Sequence, residues 1–177
     1  FRSWHVDDPQ VEADQVGKWD AAVVEEKHDA FNMKGDFTII ATIKTRAPVG
    51  NIVSKYDWRG KQRGYVFGIG GEGGSSGPKG HLFAWVSARQ DPFEGVEIHS
   101  SRPVADDREH QVAVIFQAGK SIRLFIDGVE DSAAKVKGSA PGVVAGSERL
   151  LAIGSGYSNS VNAGAYRFEG MLKDVRI

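Results

Sequence analysis

Cysteine is absent from the 177 residues. That excludes disulfide frameworks, thiolate metal sites and cysteine nucleophiles, and it leaves the redox compartment open. A dominant charge is missing too: 22 Lys and Arg face 23 Asp and Glu, for a formal charge of -1. Such a surface has no field that would gather nucleic acid or an anionic membrane. No apolar run approaches the roughly 18 residues of a membrane span, and no signal-peptide pattern is present. Helical periodicity is scarce; the best stretch, 11–27, mixes acidic and apolar residues without caps, so at most a short helix is expected there. Fixed-period repeats and a Pro-rich linker are also missing. One domain over 1–177 is the expectation. A chain that opens on Phe1 and closes on Ile177 within an apparent strand reads as a piece excised from a larger, multidomain protein.

What is present is period two. Phe37, Ile39, Ala41 and Ile43 alternate with their neighbours, as do residues 65–69, 82–86 and 96–99. In the second half Val112, Val114 and Phe116 share one face, and Ile122, Leu124 and Ile126 share another. Residues 150–153 form a short buried run, and 168–177 read as a closing strand. Turn signals recur every eight to twelve residues or so, the spacing of a sandwich or barrel. The pair Asp127-Gly128 between alternating apolar segments predicts a tight hairpin turn, because Gly accepts positive φ without strain. An all-β, two-sheet antiparallel sandwich follows.

The segments GDFTIIATIKT, IVSKYDWRGKQRGYVFGI, VADDREHQVAVIFQAGKSIRLFIDG, LLAIG and FEGMLKDVRI resemble, in order, the successive strands of laminin-G-like and pentraxin-like domains of the concanavalin A-like superfamily. The match covers about four fifths of the chain. Its most specific part pairs DDREHQVAV with IRLFIDG, where the family has an acidic turn, a structural His (here His110), an apolar strand and a strand ending Tyr-Val-Asp-Gly; Phe125 and Ile126 stand for that Tyr and Val. The resemblance implies a jelly roll with one concave sheet, sugar binding on that sheet or its rim, and a structural calcium ion in many members. It implies fold more firmly than activity.

Sugar binding needs aromatic faces for the C–H surface of a pyranose and polar side chains for its hydroxyls. Tyr56, Trp58 and Arg59 follow a strand end in a polar segment, and Tyr157, Asn159 and Asn162 share a loop of small polar residues. Trp85 alternates with Phe83 and His81, opposite Leu82, Ala84 and Val86. A large aromatic is usually buried, so Trp85 is expected on the core face; on the other face it becomes a sugar platform. For calcium the resemblance points to Asp36 and Asp174. Asp7-Asp8 and Asp106-Asp107 are further acidic pairs without calcium-loop spacing.

Catalytic motifs fare worse. GIGGEG at 68–73 matches a dinucleotide fingerprint and GGSSG at 73–77 a nucleophile elbow, yet neither leads into a helix. The five His residues are dispersed, with no zinc spacing. Glu94 and Glu97, three apart on a strand, point to opposite faces and make no hydrolase pair. A lyase would gather Tyr65, His81, His99 and Arg102 in a groove. The sequence therefore predicts a non-catalytic carbohydrate-binding module, extracellular, periplasmic or on a cell surface, tethering a larger protein to a polysaccharide or glycoprotein glycan. The alternatives are a carbohydrate-active enzyme of the same fold and a protein-adhesion domain.

Overall fold

The computed structural model describes residues 22–24, 31–56, 64–70, 77–89, 94–147, 151–155 and 166–177. Among them every regular element beyond a single 3-10 residue at Phe31 is a strand. These are β1 (Ala22–Val24), β2 (Phe37–Lys44), β3 (Gly50–Tyr56), β4 (Gly64–Ile69), β5 (His81–Arg89), β6 (Glu94–Pro103), β7 (His110–Gln117), β8 (Ser121–Ile126), β9 (Val129–Glu130), β10 (Lys135–Gly138), β11 (Leu151–Ile153) and β12 (Met171–Arg176). A seven-stranded sheet runs β1-β11-β3-β4-β5-β6-β10, and a five-stranded sheet runs β12-β2-β7-β8-β9. All pairings are antiparallel.

Alternation builds the interior. Ile39, Ala41 and Ile43 of β2, Val112, Val114 and Phe116 of β7, and Ile122, Leu124 and Ile126 of β8 meet Tyr65, Phe67, Ile69, Leu82, Ala84, Val86, Val96 and Ile98 of the seven-stranded sheet in one core. Phe37 bridges the sheets: its ring lies 5.1 Å from Tyr65 on one side and 5.2 Å from Phe116 on the other. Tyr65 donates its hydroxyl to Phe31 O at 3.1 Å, and burial pushes its phenol above the usual range.

The Asp127-Gly128 turn forms as the residue types require, with φ of 57° and 78° at the two positions. Gly128→Val is expected to cost about 1–2 kcal/mol, because a β-branched residue is strained in the left-handed region; urea unfolding measures it.

Three expectations change. Ala22–Val24, inside the stretch expected to hold at most a short helix, is a strand paired with β11. Pairing with a strand 130 residues away in sequence fixes its conformation, and no local pattern records that. Trp85 is absent from the core between the sheets, whereas Leu82, Ala84 and Val86 are in it. Strand alternation therefore turns Trp85 outward. Lastly, Tyr65 points into the interior, so it cannot join a groove with His99.

Candidate functional site

Strand register assembles two rows on the outer face of the seven-stranded sheet. Ser54, Val66, Trp85, Glu97 and Lys137 are successive cross-strand neighbours, and so are Asn51, Gly68, Phe83, His99 and Lys135. Adjacent strands stand about 4.8 Å apart, so Trp85 and Lys137 are about 10 Å from each other along the first row.

The aromatic end of the face is rigid. Tyr56 is 5% exposed and meets Trp85 with centroids 4.9 Å apart at 57°, while Trp85 itself is only partly buried. Tyr56 therefore supports the indole that keeps open surface. Phe83 stacks on His99 at 6.2 Å and 23°. Gly68 makes room for it, since a Cβ there would come within 2.9 Å of the Phe83 ring.

Polar groups fill the rest of the face. His99 Nε2 and Glu97 Oε1 are 2.5 Å apart, which fixes both side chains. Gly77 lies against the imidazole so closely that a Cβ would stand 2.3 Å from Nδ1. Ser87 Oγ and Asn51 Nδ2, both buried on this face, have no hydrogen-bond partner among the described residues. Lys135 and Lys137 are exposed. Together these groups offer a ring to stack on, a carboxylate to accept from hydroxyls, and two ammonium donors.

The lyase and hydrolase candidates do not gather into a catalytic groove. His81 Nδ1 lies 2.8 Å from Ser100 O, and the exposed Arg102 lies 3.7 Å from Asp127, so the four lyase candidates are not gathered in one groove. Glu94 sits beyond a register shift, 3.9 Å from Arg89, and supplies no second acid opposite Glu97. Trp58, Arg59, Tyr157, Asn159 and Asn162 lie outside the described residues.

The calcium candidates stand apart. Asp36 precedes β2 and accepts from Ala118 N at 2.8 Å. Asp174 is exposed, has φ of 53°, and falls in the β12 register shift opposite Ile40–Thr42, about 13 Å or more along β2. The two do not form one coordination sphere. Among the described residues no group of three or more His, Asp or Glu is placed to hold a metal ion.

The model describing the concanavalin A-like lectin/glucanases superfamily, in its laminin-G form, matches residues 17–177. The chain belongs to this superfamily. No curated protein sequence is significantly similar. Among solved structures, the mouse laminin alpha1 chain, domains LG4-5, superposes with a TM-score of 0.57 at 13% identity. The alignment covers 88% of this chain and 38% of the laminin chain, and at that identity the likeness is one of fold. The laminin-G-like sandwich read from the sequence is thus the fold. Among the described residues no helix is long and apolar enough to cross a membrane.

Lys135 and Lys137 were not among the sequence candidates; Glu97 was set aside there as half of a hydrolase pair, and His99 entered only as a lyase residue. Alternation identifies Glu97 and His99 as sharing a face, but their meeting with Trp85 and with β10 depends on register.

Proposed function

We propose that this laminin-G-like domain is a non-catalytic carbohydrate-binding module that tethers a larger secreted or surface protein to a polysaccharide or glycoprotein glycan. The observation that carries the reading is the outward Trp85, supported by Tyr56 and followed across the strands by Glu97 and then Lys137. A pyranose stacks on the indole while Glu97 and Lys137 meet the hydroxyls of that sugar and its neighbour. Trp58, Arg59, Tyr157, Asn159 and Asn162 are candidates for further contacts by their side-chain chemistry. An extracellular, periplasmic or cell-surface location goes with this role.

The test is a glycan array with polysaccharide retardation gels, run with calcium and with a chelator. Retention by at least one polysaccharide, with no change in its chain length, is expected. Depolymerisation by the isolated domain would move the assignment to an enzyme. Calcium held by Asp36 or Asp174 is part of the proposal, and loss of binding in the chelator is its expected sign.

A second reading, protein adhesion, has its own support. Val129, Val136 and Val143 are 69%, 55% and 63% exposed and all lie within residues 129–143. Binding lost on Val136→Ser and kept on Trp85→Ala would select it.

A further inference from the structure

His110 opens β7 beside Ile43 of β2 and is buried, yet both ring nitrogens meet carboxylates. Nδ1 is 2.9 Å from Asp127 Oδ2, and Nε2 is 3.1 Å from Asp106 Oδ1. The acids come from separate segments, Asp106 from the loop between β6 and β7 and Asp127 from the β8–β9 turn. Each is also held by backbone: Arg108 N donates to Asp106 at 2.9 Å, and Gln111 N donates to Asp127 at 3.1 Å. The Arg108 amide, more than His110, holds the Asp106 carboxyl below its ordinary value, so Asp106 is an acceptor.

A carboxylate only accepts, and a neutral imidazole has one N–H. The neutral ring therefore satisfies one acid and turns a lone pair toward the other. The imidazolium donates to both. Among the described residues the other charges nearby are Arg102 of β6, 3.7 Å from Asp127, and Arg108 on the loop beside Asp106. Lys173 of β12 is taken by Glu109, and Arg46, just beyond β2, by Asp107.

Asp127 starts the strap by which the chain leaves the five-stranded sheet at β9 and joins the seven-stranded sheet as β10. Farther along, Asp131 accepts from Ser101 N and Oγ, each at 2.6 Å. We propose that His110 is a proton-operated clasp: protonated, it ties the Asp106 loop to the start of this strap; on losing its proton as pH rises, it releases one of the two acids. The inference stands apart from any glycan reading, since it concerns the free domain.

Amide hydrogen exchange of residues 106–109 and 128–131, one segment beside each acid, corrected for intrinsic rates, tests it between about pH 5.5 and about pH 8. Wild-type protection is expected to fall about tenfold toward alkaline pH, the size of one charge-assisted hydrogen bond. His110→Gln should abolish that dependence. Asp106→Asn should abolish it too, because the amide can keep the turn with Arg108 N or donate to a neutral Nε2. Asp106 is exposed, so this variant keeps the fold if His110→Gln does not. Equal wild-type protection at both pH values, or an unchanged pH profile in Asp106→Asn, would overturn the proposal.

Discussion

Phe116→Ala is expected to lower the free energy of unfolding by about 3–5 kcal/mol, the usual cost of emptying a fully buried phenylalanine site. The ring is 0% exposed and ends the aromatic series Phe116, Phe37, Tyr65 that joins the two sheets. Strands on both sides are committed to ladder hydrogen bonds, so the sheets have little freedom to collapse into the gap. Since domains of this kind are stable by only about 5–15 kcal/mol, the loss takes a large share of the total. Phe116→Leu, which keeps most of the volume, should lose less. Urea unfolding monitored by Trp fluorescence gives both values. A cost under about 1 kcal/mol for Phe116→Ala, within the common run of substitutions, would mean that these rings do not hold the sheets together.

Trp85→Ala is expected to weaken retention by any polysaccharide the wild-type domain binds by about thirtyfold, the effect of removing a central aromatic anchor. Stability should move far less than with Phe116→Ala, because the indole is partly exposed and its packing partner is Tyr56. An offset aromatic pair is worth about 0.5–1.5 kcal/mol beyond its buried area. Affinity gels with the two variants in parallel separate lost binding from lost fold. A folded Trp85→Ala protein with unchanged retention would remove the outer-face platform and turn attention to Trp58 and Tyr157.

In the five-stranded sheet β2, β7 and β8 were legible because each shows its core face as alternation, as β7 does through Val112, Val114 and Phe116. The hairpin at Asp127-Gly128 was legible because its backbone angles admit few residue types. β3 was harder: all seven of its residues are buried, so no polar face marks it, and even Lys55 is interior with Nζ donating to Ser147 O at 3.0 Å. β10 was missed for the opposite reason, since all four of its residues are exposed and its sequence KVKG carries no hydrophobic signal. Trp85 shows what a single strand withholds. Its face is told by alternation, but which face meets the second sheet is a property of the assembled pair.

Several ladders join distant parts of the chain: β12 reaches back from Met171 to Lys44, and β11 enters between β1 and β3, pairing Ala152 with Val23 on one side and Ser54 on the other. The hairpins β4–β5, β5–β6 and β7–β8 can form among near neighbours, whereas closing either sheet requires ends that diffuse together across about a hundred residues or more. Loop closure on that scale precedes the contacts that reward it, so the domain should fold slowly for its size. Until β11 and β12 arrive, β3 and β2 keep an unpaired edge, and in that interval a nascent chain is most open to pairing with the wrong strand.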